Sequence, residues 1–144
     1  MPAFRILVLF AALLSTACAS VQVHGVVRDE QGNAVPDAVA TVRDAATGAV
    51  VATGASNANG CLDLFELLKG RPESFALRVE APGYREAVFP FPRREEPTLL
   101  VTLTPAAGTA ESTVRPIPWD EREATYRLYC VSAVPPGAGM LGVR

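Results

Sequence analysis

The sequence predicts an all-β protein, a seven-stranded antiparallel Ig-like sandwich, and leaves room for one extra C-terminal strand. Short runs in which apolar and polar residues alternate recur along residues 21–104. Each run is bounded by Gly, Pro, Asn or Asp, the residues that favour turns. The 144-residue chain is 49% hydrophobic with twelve Pro and eleven Gly, which is typical of a compact, turn-rich β domain.

The first two predicted strands are residues 21–27 and 39–43. The first run is rich in β-branched Val, and the second alternates the apolar Ala40 and Val42 with larger or polar neighbours. Residues 29–33 between them are polar and contain Gly32, which tolerates a positive φ angle. This pattern predicts that the two runs form a hairpin around a tight turn.

The remaining strands are predicted from the same alternation and comprise residues 49–54, 61–65, 74–80, 85–91 and 98–104. Pro90 and Pro92 mark the sixth as an edge or terminating strand, because proline cannot donate to a neighbouring strand. Residues 66–73 are compatible with a single helical turn that Gly70 and Pro72 would end.

Residues 1–19 have the plan of a secretory signal, with Arg5 followed by an apolar run over residues 6–14 and then small side chains. The run is shorter than the roughly 20 residues that a membrane-spanning helix needs. Residues 14–18 resemble a bacterial lipobox, which would make Cys18 the acylated first residue of the mature chain. Residues 17–19 also fit ordinary signal-peptidase cleavage before Ser20, and both alternatives remain open.

The expected location follows from this segment. Ala19 is not acidic, and resemblance to the bacterial lipoprotein pattern then implies the outer membrane. We expect an outer-membrane lipoprotein or a periplasmic protein, with secretion as the alternative. The membrane is the expected partner of a lipid on Cys18, and the net charge of −2 gives no reason to expect a nucleic acid partner.

Cys61 and Cys130 are an even pair once Cys18 is set aside, and in an exported chain they are a disulfide candidate. Two separate buried thiols are the alternative. A metal site is not expected, because two Cys and a single His at scattered positions match no ligand spacing. We expect no cofactor.

The order of the strand and turn motifs resembles the carboxypeptidase regulatory-like domain, a small transthyretin-like sandwich of exported bacterial proteins. The matching segments are residues 25–29 (GVVRD), 32–36 (GNAVP), 38–42 (AVATV), 57–60 (NANG), 75–79 (FALRV), 81–84 (APGY) and 99–103 (LLVTL). The resemblance covers residues 21–105, so the sandwich is expected over residues 20–105. Departures are Asn57 for the family's usual Asp, Cys61 after the glycine, and a longer segment over residues 66–74.

The resemblance implies a non-catalytic structural or interaction module. His24 is the only histidine, and it resembles the first-strand histidine of transthyretin-related hydroxyisourate hydrolases. Those enzymes need a second histidine and a C-terminal Y-R-G-S, neither of which is present. Iron dioxygenases of related fold need two His and two Tyr ligands. We therefore expect that the chain is not an enzyme, with such a hydrolase as a remote alternative.

The C-terminal third is predicted to hold a linker over residues 106–118, an extension over 119–134 and a disordered tail over 135–144. Alternation over residues 124–134 predicts an eighth strand, which would either dock on a sheet edge and bring Cys130 to Cys61 or bind a partner. Interaction candidates are the aromatic residues Trp119, Tyr126, Tyr129 and Tyr84. The expected function is an envelope structural or interaction module, with binding of an envelope polysaccharide or peptide as the alternative.

Overall fold

Two four-stranded sheets pack face to face in the computed structural model, which describes residues 19–131 of the chain. Residues 1–18 of the predicted signal segment, Cys18 among them, and the predicted tail over residues 135–144 lie outside the described residues. The strands are β1 (Ser20–Asp29), β2 (Val39–Asp44), β3 (Val50–Ala55), β4 (Cys61–Leu67), β5 (Ser74–Glu80), β6 (Ala87–Pro92), β7 (Thr98–Leu103) and β8 (Thr113–Pro116). Helix α1 (Trp119–Tyr126) and a π-helical turn (Arg127–Val131) follow.

The strand order is β4-β1-β7-β8 in what we call the first sheet and β3-β2-β5-β6 in the second sheet. The predicted sandwich is confirmed, but it has eight strands rather than seven. The antiparallel prediction is wrong for one pair, because β1 runs parallel to β7. A sandwich permits this pairing, since the chain reaches β7 from the second sheet rather than through a hairpin.

The predicted hairpin between the first two strands is wrong, although its turn is present. Gly32 adopts a φ of +81°, and the Asp29 amide donates to the Asn33 carbonyl. Pairing then stops after the single bridge between Arg28 and Ala34. Pro36 cannot donate a ladder hydrogen bond, and the chain crosses to the second sheet, where β2 pairs with β3 and β5.

The core lies between the inner faces of the two sheets. Every second side chain along a strand points into the core. Phe75, Leu77 and Val79 of β5 are therefore buried, as their spacing predicts. Val23 and Val27 of β1 oppose them from the first sheet. β6, with its two prolines, is the edge of the second sheet, as predicted.

The C-terminal predictions need two corrections. Residues 113–116, assigned to the linker, form β8 beside β7. Residues 119–131, most of which were predicted as a strand, are helical. Asp120 and Glu121 occupy the first turn of α1, where acidic side chains interact favourably with the helix dipole. Residues 66–73 contain no helical turn, because β4 continues to Leu67.

Candidate functional site

The C-terminal residues 117–131, which we call the strap, fold back over the outward face of the first sheet. The Ile117 amide donates to the Thr98 carbonyl and the Ile117 side chain is buried, so the strap begins against β7. A disulfide joins Cys130 to Cys61 on β4, with their Cα atoms 5.8 Å apart. The predicted disulfide candidate is present, and it closes a loop with a sequence separation of 69 residues.

Two further contacts hold the end of the strap. The Arg28 guanidinium lies 4.6 Å from the centre of the Tyr129 ring, and its Nη2 donates to the Tyr129 carbonyl at 3.3 Å. The Asn59 side-chain amide donates to the Cys130 carbonyl at 3.4 Å. Burial lowers the pKa of Arg28, and its interactions with Tyr129 and Asp29 oppose that shift. Tyr129 therefore holds the strap in place as a cation–π partner.

A cleft of about 780 Å³ lies between the strap and the outward side chains of β1, β4 and β7. This volume is within the range of small-molecule sites, about 300–1,000 Å³. The strap contributes Trp119, Arg122, Glu123 and Tyr126, which follow the spacing of three, four and seven residues that puts side chains on one helix face.

The floor of the cleft is a row of three polar side chains on adjacent strands. Asp63 on β4 and Thr98 on β7 each pair in register with His24 on β1, one on either side. His24 Nδ1 lies 2.8 Å from Asp63 Oδ1, and the Gln22 side-chain amide lies 2.9 Å from His24 Nε2. His24 therefore links Asp63 and Gln22 in one polar network on the outward face of the first sheet.

Thr98 is the unusual member of this row. The residue is only 9% exposed, and its Oγ1 atom has no hydrogen-bond partner among the described residues. A buried polar group without a partner costs free energy, so such groups are uncommon in folded proteins. Thr98 Oγ1 is therefore a hydrogen-bonding group beneath the cleft that the described residues leave unsatisfied.

The charged lining of the cleft is acidic overall. Asp63, Asp120 and Glu123 line it, and Arg122 is the single cation among its lining residues. The Arg122 guanidinium lies 4.5 Å from the centre of the Trp119 indole and donates to the Glu96 carbonyl at 2.9 Å. The lining thus combines aromatic rings with carboxylate acceptors, a set suited to hydroxyl-bearing or cationic ligands.

The cleft lining supplies hydrogen-bonding, aromatic and charged groups. His24 Nε2 is in contact with the Gln22 side-chain amide. Cys61 and Cys130 are joined to each other, so neither is a free thiol. No cluster of three or more metal-ligating side chains occurs within residues 19–131, and no helix in that range is long and apolar enough to span a membrane.

The predicted interaction residues do not form one group. Trp119 and Tyr126 line the cleft, whereas Tyr129 packs under Arg28. Tyr84 lies elsewhere, in an isolated bridge with Pro105 and against the core.

Sequence reasoning missed Thr98, Asp63 and Arg122 as cleft residues. Strand register aligns the first two with His24, and a helical reading of residues 119–130 would have found the third.

No family model matches this sequence, and no curated protein matches it. Among solved structures, the TIE protein of Bacillus anthracis aligns at 15% identity with a TM-score of 0.43, covering 66% of this chain and 16% of that protein. A minor pilin of Streptococcus agalactiae aligns at 8% identity with a TM-score of 0.46, covering 67% of this chain and 49% of that protein. A mutant catechol 1,2-dioxygenase of Acinetobacter radioresistens aligns at 16% identity with a TM-score of 0.45, covering 69% of this chain and 56% of that protein.

This chain thus spans between 16% and 56% of the length of those three proteins. At such identities and TM-scores, we base no conclusion about ligands, activity or location on them.

Proposed function

We propose that this chain is a non-catalytic interaction module of a bacterial cell envelope, anchored through a lipid on Cys18. The strap cleft is its binding surface, and the ligand is an envelope peptide or polysaccharide. We also propose that the sandwich is a carboxypeptidase regulatory-like domain. The observation that carries the proposed binding role is the unpaired, buried Thr98 hydroxyl on the floor of a cleft. The disulfide holds the strap over this cleft.

The cross-linked strap supports an exported location. Disulfides persist in oxidising compartments such as the bacterial periplasm and are rare in the cytosol. The apolar run and the lipobox-like residues 14–18 are consistent with the same compartment. A sandwich whose binding surface is built by a disulfide is suited to function outside the cytosol.

Of the two candidate ligands, peptide and polysaccharide, the lining of the cleft favours a polysaccharide. Trp119 is 80% exposed and Tyr126 is 59% exposed, so both rings are available for stacking. Sugar rings present apolar faces to aromatic side chains, and their hydroxyls donate to carboxylates such as Asp63 and Asp120. A peptide would use the same carboxylates for its cationic side chains.

The anchoring half of the proposal is tested by intact mass after expression in a Gram-negative host. We expect a triacylated chain beginning at Cys18, with Cys61 and Cys130 alkylated only after reduction. The Cys18→Ser variant is the control and should lack the acyl mass. An unmodified mature chain beginning at Ser20 would overturn the anchor and leave a diffusible binding module.

The binding half is tested with solubilised peptidoglycan fragments and purified envelope polysaccharide as probes, measured by calorimetry. We expect Thr98→Val and Trp119→Ala each to weaken binding about tenfold, the effect of losing one hydrogen bond or one aromatic contact. Thr102→Val is the control, because Thr102 lies on the same face of β7 but does not line the cleft. Equal affinity of the Thr98 and control variants would remove the cleft as the binding surface.

A further inference from the structure

One corner of the first sheet presents two large apolar side chains to solvent. Phe65 and Leu67, both on β4, are each 60% exposed. Leu62 and Leu64 point inward to the core, so alternation places Phe65 and Leu67 on the same outward face. Two large neighbouring apolar side chains are a feature that protein or membrane contacts explain, unlike single scattered ones.

The strap does not reach this corner. The strap is held at the other end of β4 by Cys61, and the cleft lining extends along β4 only as far as Asp63. The strap therefore covers one end of this face. Phe65 and Leu67, which we call the corner patch, lie at the other end, paired in register with the polar Gln22 and Ser20.

The corner patch lies beside the position where the described chain starts. Ser20 pairs in register with Leu67, and the Leu68 amide donates to the Ala19 carbonyl at 2.8 Å. Cys18 is the next residue, and one residue spans at most about 3.6 Å. A lipid on Cys18 would thus enter a bilayer next to Leu67.

The loop that follows β4 adds charge of the appropriate sign. Lys69 and Arg71 are exposed in this loop, residues 68–73, and outnumber its single carboxylate, Glu73. Basic side chains beside an apolar surface are attracted to anionic lipid headgroups. Glu66 has the opposite strand parity and does not lie on the patch face.

We infer that the corner patch contacts the membrane surface: Phe65 and Leu67 enter the interfacial region of the bilayer and orient the sandwich on it. This inference rests on the anchor at Cys18 in the proposed function. It adds a defined orientation to that anchor, in which the β4 corner faces the lipid and the second sheet faces away.

The test tethers the chain chemically, so that it does not depend on acylation by a host. Residues 18–144, oxidised at Cys61 and Cys130, are coupled through the Cys18 thiol to a maleimide lipid in phosphatidylcholine–phosphatidylglycerol vesicles. Phe65→Trp is combined with Trp119→Phe, so that the indole at position 65 is the only one. Brominated phosphatidylcholine then quenches an indole that enters the bilayer.

The matched control is Val88→Trp with Trp119→Phe, because Val88 is 53% exposed on β6 of the second sheet. We expect the emission at position 65 to shift to the blue and fall about twofold with brominated lipid, as for an aromatic ring at the interface, with little change at position 88. Equal quenching at both positions, or none at position 65, would overturn the inference.

Measurements before tethering separate the other occupants of the patch. Blue-shifted emission at position 65 that depends on protein concentration would assign the patch to a second copy of the chain. Blue-shifted emission that is lost on deleting residues 132–144 would assign it to that segment. Either result contradicts membrane contact, and neither affects the mass measurement that tests acylation.

Discussion

At the scale of single residues, two buried hydroxyls differ in whether the described structure gives them hydrogen-bond partners. The hydroxyl of Ser56 is buried and fully used, since it accepts from the Ala38 amide and donates to the Val35 carbonyl. Thr98 is buried to a similar extent, but its hydroxyl lacks a described partner. A structural role explains the first residue, and the proposed function assigns a binding role to the second.

Thr98→Val should raise the free energy of unfolding by about 1 kcal/mol, because it removes a buried polar group that lacks a hydrogen bond while keeping the side-chain shape. Urea unfolding measures this change, with Thr102→Val as the comparison. A loss of stability at position 98 alone would show that the hydroxyl has a partner in the folded chain.

Gly60→Ala should destabilise the protein by more than about 2 kcal/mol. Gly60 has a φ of +76°, and an added Cβ would lie 2.4 Å from the Val27 carbonyl oxygen. Gly83→Ala is the matched control, because Gly83 has a φ of +82° and no atoms near its added Cβ. Thermal unfolding should show a much larger loss at position 60, and equal losses would exclude the backbone clash.

Stability should fall in acid in part through Asp29. Desolvation raises the pKa of this carboxyl, but hydrogen bonds from Asn33 and Gln31, with the Arg28 charge, together lower the pKa below its ordinary value. A group with a lower pKa in the folded state stabilises it above the unfolded-state pKa. That contribution is lost as the pH falls through the folded-state pKa.

Asp29→Asn should therefore show a smaller decrease in the free energy of unfolding between neutral pH and about pH 3. Urea titrations at several pH values measure it. Glu30→Gln, which removes a neighbouring carboxylate, should retain the steeper dependence of the parent protein. The same slope in all three proteins would contradict this role for Asp29.

At the scale of elements, the strap is a covalently attached cover rather than a part of the core. None of the residues of α1 is buried, so the helix contributes little apolar burial to the fold. Arg127 and Glu123 pair one turn apart and support the helix locally. The disulfide and the contacts of Arg28 and Asn59 hold it over the sheet.

Replacing Cys61 and Cys130 together with Ser should lower the free energy of unfolding by about 4 kcal/mol, since the unfolded chain regains the freedom of a long loop. The sandwich should persist, with unchanged β signal in far-ultraviolet circular dichroism, whereas binding in the cleft should be lost. Cys18→Ser is the control for loss of a thiol. Retained binding without the disulfide would show that the strap closes the cleft unaided.

At the scale of the whole molecule, the order of strands decides which parts are most protected. β1 and β7 are interior strands of the first sheet, and β2 and β5 are interior strands of the second. The N-terminal corner and the clasped end of the strap lie at opposite ends of β4. One sheet face therefore accommodates both the corner patch and the cleft without overlap.

Amide hydrogen exchange should be slowest in β1, β2, β5 and β7, because each has neighbours on both sides, and faster in the edge strands β3, β4, β6 and β8. Mass spectrometry of peptic fragments measures this order. Exchange in β8 as slow as in β7 would indicate that another chain or segment covers this edge in solution.

Much of the secondary structure was predictable, because alternation in a strand depends only on neighbours along the chain. The burial of Phe75, Leu77 and Val79 follows from that period, and the two prolines of β6 identify an edge. The helix of the strap was missed because Tyr126 and Cys130 satisfy a period of two as well as a spacing of four residues. The even pair Cys61 and Cys130 was a disulfide candidate from the sequence, and the structure decided between a bond and two separate thiols.

The sequence alone determined the all-β class, the inward faces of the strands and the main turns, and it named Cys61 and Cys130 as a disulfide candidate. The partner of each strand, the parallel contact of β1 with β7 and the helical strap were decided only in the tertiary structure. Turn and alternation signals are local, whereas sheet assignment depends on which distant faces bury the most apolar surface together. The strand pairing of the first sheet aligns Asp63, His24 and Thr98 in one row, and this row forms the floor of the cleft.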